Sequence, residues 1–308
     1  MGLKQNMRDV FTPQFKGFFW SNLVGISIIG ITKYLMTENG SGVIVFSEFV
    51  VIPILMGMIS GWFWQDLGLV TRRLALYSCY NSFLAIGLSF IFLGEGIICL
   101  VIVSPLIFCF MLLGTIFGKG IYKKNNDKLN VSIVFILAVV FVTDTLSKHE
   151  YENEVSDTIV VNAPPGRVWQ NVVAFKRINV PAQFWLFRLG LPSPVESTVT
   201  GYYRGAGRKC IFSNNYVFDE TISTYDISKN LTFDIVNQPK DPEIMNHIAI
   251  LRGQFLLKDN GNGTTTLTGN SWYRLYVFPI WYYDIWAKSI TRNVHLRVMQ
   301  HIKELSEK

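Results

Sequence analysis

The chain has 308 residues, half of them apolar, and carries a net charge of +6. That is length for two domains, and the basic residues gather in short loops between apolar runs, which ties the positive balance to membrane topology rather than to nucleic acid. Cys79, Cys99, Cys109 and Cys210 have neither the spacing of a metal site nor that of a disulfide framework.

Up to about Leu146 the sequence is a run of apolar segments: Phe18–Leu35, Val43–Trp64, Leu74–Leu93, Ile97–Phe117 and Leu129–Leu146. About 20 apolar residues span a bilayer, and backbone groups in lipid must bond within their own helix. Residues 1–147 are therefore expected to form an all-α transmembrane bundle of five helices, with Trp20, Trp62 and Trp64 at the membrane interface. Gly25, Gly30, Gly57 and Gly61 are expected to let helices approach closely. Lys33, Glu48 and Asp144 fall near predicted helix ends, where charge reaches water, and Lys33 and Glu48 could pair.

Lys and Arg alternate from loop to loop. The N-terminal tail carries Lys4, Arg8 and Lys16, the second connection Arg72 and Arg73, and the fourth Lys119, Lys123, Lys124 and Lys128. The positive-inside pattern places the N-terminus in the cytoplasm. Five crossings of the cytoplasmic (inner) membrane would then put the C-terminal domain on the outer, periplasmic side.

Residues 148–308 read as a water-soluble α+β domain. Ser156–Asn162 alternates as a first strand, and Ala163-Pro164-Pro165-Gly166 leads into a helix over Arg167–Phe175. A short helix is expected around Ala182–Leu189. Six further strands follow: Glu196–Tyr203, Arg208–Ser213, Tyr216–Tyr225, Leu231–Asn237, Ile248–Lys258 and Thr264–Tyr276. Asn- and Gly-rich turns between them predict an antiparallel meander. The chain ends in a long helix, about Ile280–Leu305, with Tyr283, Ala287, Ile290, Val294, Val298, His301 and Leu305 on one stripe. That stripe should lie across the concave side of the sheet.

The opening Val161-Asn162-Ala163-Pro164-Pro165-Gly166-Arg167-Val168-Trp169 resembles the strand-to-helix entry of the START-related (SRPBCC, polyketide cyclase and lipid-transport) superfamily. Gly207–Phe212, Asp219–Ile222, Leu231–Asp234, Arg252–Phe255, Gly269–Tyr273 and His295–Val298 resemble its later elements. The likeness covers about Ser156–Glu307. It implies a helix-grip fold, a curved antiparallel sheet wrapped on the C-terminal helix, and a cavity for a hydrophobic small molecule or lipid.

Strand alternation places Phe255, Leu257, Leu267, Gly269, Ser271 and Tyr273 on the face toward the final helix. Gly253, Gly269 and Ser271 are small where a packed core favours bulk, which suggests unfilled space. The expected ligand-binding residues are Phe255, Leu257, Tyr273, Ile290, Val294, Arg297, Val298 and His301. His301 with Arg297 would contact a polar head, while His295 would pack at a rim. No catalytic signature is seen, and no cofactor or metal is expected: four histidines form no H-x-x-x-H pair. The expectation is a membrane-anchored binding module. The alternative is an enzyme acting on an apolar substrate in the same cavity, with a buried His or carboxylate as general acid or base.

Overall fold

The computed structural model describes residues 12–39, 47–94, 96–124, 131–146, 150–239 and 247–308. The chain divides into two compact units, residues 1–148 and 149–308.

The first unit is helical. Helix α1 spans Pro13–Asn39. A π-helical turn, Ser47–Val51, leads into α2, Ile52–Trp64, which closes in a 3-10 turn at Gln65–Leu67. Helix α3 covers Thr71–Leu88 and continues as a π-helical turn to Leu93. Helices α4 and α5 are Ile97–Lys124 and Val131–Leu146. Four helical stretches are long and apolar enough to cross a membrane: Pro13–Thr32, Ser47–Leu67, Thr71–Leu93 and Ile97–Gly120. The expected fifth, Leu129–Leu146, differs. Its helix has 16 residues, about 24 Å at 1.5 Å per residue, against roughly 30 Å of hydrocarbon.

Helices α2 and α4 meet through two glycine pairs spaced by four. A Cβ on Gly61 would lie 2.6 Å from Thr115 O and one on Gly118 2.8 Å from Met58 O, while Gly57 and Gly114 face Met111 O and Ile54 O still more closely. Backbone thus packs on backbone, which hydrogen-only side chains permit. Gly25 lies against Met56, and Gly17 against Trp64. Trp64 is a correction to the interfacial expectation. It is fully buried, and its Nε1 donates to Gln14 O at 3.3 Å.

A buried polar knot joins three helices. Asn81 Nδ2 donates to Ser60 Oγ (2.8 Å) and Ser21 Oγ (3.1 Å), and its Oδ1 accepts from Asn22 Nδ2 (2.7 Å). At the bundle's ends, Lys119 Nζ donates to Leu69 O (2.7 Å), and Ser47 N donates to Asp144 Oδ2 (2.8 Å). The Lys33–Glu48 pairing lies outside the described residues.

The second unit is a seven-stranded antiparallel sheet in the order β1-β7-β6-β5-β4-β3-β2. Its strands are β1 Tyr151–Val161, β2 Pro194–Val199, β3 Gly207–Phe212, β4 Val217–Asp226, β5 Asn230–Asn237, β6 Ile248–Asp259 and β7 Thr265–Leu275. Strands β2 to β7 follow one another as a meander, and β1 pairs beside β7, Asp157 opposite Gly269. Helices α6, Pro165–Val173, and α7, Trp185–Arg188, fill the connection from β1 to β2. Pro165 sits in the first turn of α6, where a missing N–H costs nothing. Helix α8, Ile280–Ser306, packs on β1, β7 and β2. This curved sheet gripping a terminal helix is the helix-grip architecture.

The core beneath the C-terminal half of α8 is dense: Val161, Val168, Val172, Leu231, Leu267, Met299 and Ile302 are essentially inaccessible. Gly269, one of the small residues expected to leave space, is covered by Met299 Sδ and by the Phe255 ring, so this end is filled.

Candidate functional site

A pocket of about 190 Å³ remains between the sheet and the N-terminal two-thirds of α8. Its floor comes from five neighbouring strands. Strand β3 contributes Arg208, Cys210 and Phe212, and β4 contributes Phe218 and Glu220. Strand β5 adds Phe233 and Ile235, β6 adds Ile248, Ile250, Gly253 and Phe255, and β7 adds Ser271. The β6 set depends on a register shift between Ile250 and Arg252. The extra residue, Leu251, changes the parity of the strand, so Ile248 and Ile250 face inward along with Gly253 and Phe255. The roof is Ala287, Ile290, Thr291, Val294, His295 and Val298, and Phe175, Leu191 and Pro192 close one side.

Two polar stations interrupt these apolar walls. The first is an ion pair between Arg208 Nη1 and Glu220 Oε2, whose side chains are 2% and 4% exposed. Register places Arg208 opposite Glu220. Arg208 also donates from Nε to Val173 O (3.1 Å), and its guanidinium carbon lies 4.4 Å from the centroid of the Phe233 ring. Burial pushes the Glu220 carboxyl above its ordinary range, and the facing guanidinium offsets this only in part. Burial, with Glu220 adding to it, pushes the Cys210 thiol up to about 12, so it is no nucleophile at neutral pH.

The second station is a chain of three side chains. Ser271 Oγ lies 2.7 Å from His295 Nε2, and His295 Nδ1 lies 3.0 Å from Asp157 Oδ2. Arg292 Nε stands 3.3 Å from the other oxygen, Asp157 Oδ1. Burial lowers the His295 pKa below its ordinary value, outweighing the opposing pull of Asp157, so the ring is neutral at pH 7. A neutral ring giving its Nδ1 proton to the carboxyl presents a lone pair at Nε2, and the Ser271 hydroxyl is then the donor. Ser271 on β7 is three strands from Glu220 on β4 and four from Arg208 on β3, about 14–19 Å along the sheet at 4.8 Å per strand.

Of the expected ligand-binding residues, Phe255, Ile290, Val294 and Val298 line the pocket. The other four are placed elsewhere. Leu257 is buried in the packed core. Tyr273 is fully buried, and its hydroxyl donates to Asp284 Oδ1 at 2.6 Å. Arg297 donates to Pro194 O (3.1 Å) and Val180 O (3.0 Å), fixing the connections beside β2. His301 binds Lys176 O through Nε2 (2.9 Å) and meets the Phe175 ring edge-on. His295, expected at a rim, is the buried histidine of the pocket. Among the described residues no group of three or more His, Cys, Asp or Glu is arranged to hold a metal ion.

No family model matches the chain, and no curated protein matches it. Solved structures overlap its C-terminal half. A truncated norcoclaurine synthase from Thalictrum flavum is 11% identical, with 51% of this chain and 94% of that one covered and a TM-score of 0.36. The Zhui aromatase/cyclase from a Streptomyces species gives the same four figures. A START superfamily protein from Mycobacterium smegmatis is 12% identical, covering 50% of this chain and 97% of its own, with a TM-score of 0.35. Likeness of this degree speaks to neither ligand nor chemistry.

Proposed function

We propose that the chain is a membrane-anchored binding module of START-related type, holding a small hydrophobic molecule between the sheet and α8. The carrying observation is the unfilled pocket itself. Its walls are almost entirely apolar yet open to solvent, and keeping that surface wet costs roughly 4–5 kcal/mol at about 25 cal/mol per Å². That is a large share of the 5–15 kcal/mol by which a domain is stable, and one bulkier side chain would remove it. A bound apolar molecule offsets the loss with the contacts the walls lack. The volume suits a single ring or a short acyl chain, since a dry cavity of about 150 Å³ takes benzene.

The helical unit supplies the anchor in this reading, with α5 as a fifth, short crossing. Two contacts support it. Lys119 on Leu69 brings the basic residues of the second and fourth connections to one end of the bundle, and Asp144 on Ser47 puts the C-terminus of α5 at the other. The N-terminus would be cytoplasmic and the C-terminal domain outside. Anchoring raises the domain's concentration where apolar molecules partition.

The test is native mass spectrometry of the full chain released from nanodiscs, with extraction of whatever travels with it. The expected result is a stoichiometric small apolar molecule that is absent from Val294→Trp, which fills the pocket. Loss of nothing in Val294→Trp, with no molecule bound to the parent chain, would end this reading. Cysteine labelling at Glu150 and at Arg72 in sealed vesicles should modify opposite sides; labelling of both from one side would remove α5 as a crossing.

A further inference from the structure

Ser271, His295 and Asp157 come from β7, α8 and β1, three elements that meet at the pocket wall. The direction of their hydrogen bonds matters. Asp157 can only accept from a ring N–H, so Nε2 is left to accept, and Ser271 must donate its proton toward the imidazole. A histidine with a carboxyl behind it and a hydroxyl before it is the arrangement by which a serine becomes a nucleophile, whatever the fold. Asp157 and His295 are 9% and 6% exposed, so the two are shielded from bulk water. Ser271 and His295 both line the cavity, so the chain of hydrogen bonds ends on the unfilled space.

His301 shows the alternative within the same helix. Its Nε2 ends on the backbone carbonyl of Lys176, behind the Phe175 ring and outside the pocket lining, which satisfies the ring. His295 instead spends its Nε2 on a hydroxyl that faces a cavity. The residue opposite Ser271 on β6 is Gly253, and the space over that glycine is taken by the Phe233 ring. The ring lines the same pocket as the hydroxyl and gives it an apolar wall.

We propose that Ser271 is the nucleophile of a relay that cleaves small apolar carboxylic esters inside the pocket, with His295 as general base and Asp157 positioning the imidazole. The proposal rests on the pocket reading and names its substrate class. Ser271 Oγ attacks the ester carbonyl carbon, and its proton passes to His295 Nε2. The tetrahedral adduct collapses, the acyl carbon–oxygen bond to the alcohol breaks, and His295 returns the proton to the departing alkoxide. Water then adds to the acyl-serine through the same base. The bond to Oγ breaks, Ser271 regains its proton, and a carboxylic acid leaves. Ester and water become acid and alcohol, with no other reactant. Asp157 stabilises the imidazolium formed at each stage. The cavity limits the acyl group to a few carbons or one ring.

The experiment uses the full chain in nanodiscs, an alkyl fluorophosphonate, and 4-nitrophenyl esters of two to eight carbons. Phosphonylation is expected at Ser271 by peptide mass spectrometry, absent in Ser271→Ala and slowed at least 100-fold in His295→Gln. In Asp157→Asn the labelling rate should fall, and its rise with pH should move to lower pH, because the imidazolium loses its partner. A purely structural carboxyl would leave that inflection in place. Turnover should be greatest for esters short enough to fit and lost in Val294→Trp. Binding of the one-ring dye 4-nitrophenol, followed by the shift of its absorbance and sensitive to Val294→Trp, reports the pocket separately. If the dye binds there but Ser271 stays unlabelled and no ester is cleaved, the relay is overturned and the binding module stands. If Ser271 is labelled without pocket-dependent dye binding, Ser271 is a nucleophile but cleavage inside the pocket is overturned together with the pocket reading.

Discussion

Tyr273 donates a 2.6 Å hydrogen bond to Asp284 and so ties the last strand to the first turns of α8, the helix that roofs the pocket. Asn153 Nδ2 reaches the same carboxylate at 2.9 Å, and Lys288 Nζ pairs with it at 2.8 Å. Burial pushes the Asp284 carboxyl up, but the bonds from Lys288, Tyr273 and Asn153 together hold it below its ordinary value. Burial, with Asp284 next, raises the Tyr273 phenol, so the hydroxyl stays a donor. A hydrogen bond to a charged group contributes about 1.5–3 kcal/mol. Tyr273→Phe should therefore speed amide exchange over residues 283–288 by roughly tenfold or more, with little change in the core around Met299. Unchanged exchange at the start of α8 would show that the tie does not hold the roof.

The Arg208–Glu220 pair makes a different demand. Removing one partner of a buried pair strands the other charge, at about 3–5 kcal/mol, whereas replacing both with apolar groups is near neutral or stabilising. Arg208→Met alone should destabilise the C-terminal unit by that amount at pH 7, and Arg208→Met with Glu220→Leu should restore most of it. The pH dependence has a definite sign. The folded Glu220 pKa lies above its unfolded value near 4.5, so the folded state binds the extra proton. The associated stability is fully present below pH 4.5 and is lost as pH rises through the folded pKa. Arg208→Met lifts that pKa further, so the single variant should gain relative to its parent as pH falls from 7 to 5. Unfolding curves at both pH values check this; a pH-independent difference would contradict the assignment.

Packing of α2 on α4 admits no side chain. Gly57 faces the backbone of Met111, and Gly114 faces that of Ile54. Overpacking at a flexible side chain costs about 1–3 kcal/mol, and here the obstacle is main chain, which no rotamer change relieves. Gly57→Val should lower the detergent concentration at which helicity is lost. Gly87→Val, where a Cβ meets nothing within 4 Å, should not. Equal tolerance of the two would show that the four glycines do not set the helix spacing.

The element order of the C-terminal unit was legible because its signals are local. The β6–β7 hairpin is announced by Asp259-Asn260-Gly261-Asn262-Gly263, with Gly261 and Gly263 both at positive φ. Strand ends fell within a few residues of expectation; β1 alone starts five residues earlier, at Tyr151, because its pairing with β7 continues beyond the apolar stretch. The polar stations were not legible, and for one reason. Alternation says which residues share a face, not which face is buried, and a charge takes a buried place only with a partner from elsewhere in the chain. Alternation in Gly207–Phe212 puts Arg208, Cys210 and Phe212 on one face whichever way it points, and only the register that sets Glu220 opposite Arg208 makes that face the inner one. On α8 the apolar stripe drawn through Ile290, Val294 and His301 passed over Thr291, His295 and Ser306. The buried stripe in fact runs Tyr283, Ala287, Thr291, His295, Val298, Ile302, Ser306, mostly in steps of four. Residues six apart differ by about 240° around a helix, so choosing His301 excluded His295. In the helical unit the Asn81 knot escaped notice for the converse reason, since uncharged amides barely interrupt an apolar run.

The neutral His295 gives the C-terminal unit an acid-sensitive joint. Its ring faces Asp157 on β1 and Ser271 on β7, with Arg292 of its own helix against the far side of Asp157 and the Arg208–Glu220 pair across the pocket. The folded pKa lies below the ordinary 6.5 because burial outweighs Asp157. Between the two values the unfolded chain binds a proton that the folded chain refuses, so stability is present above about pH 6.5 and is lost as pH falls toward the folded pKa, at 1.4 kcal/mol per unit of depression. His295→Gln keeps a side-chain amide in the cavity wall and removes the titration. The parent chain should lose stability from pH 7.5 to 5 more steeply than His295→Gln, with the extra loss appearing as faster amide exchange in β1 and in α8 around Thr291. Parallel slopes for the two proteins would mean that the ring already accepts its proton in the folded state, and the Nε2 lone pair on which Ser271 depends would be gone.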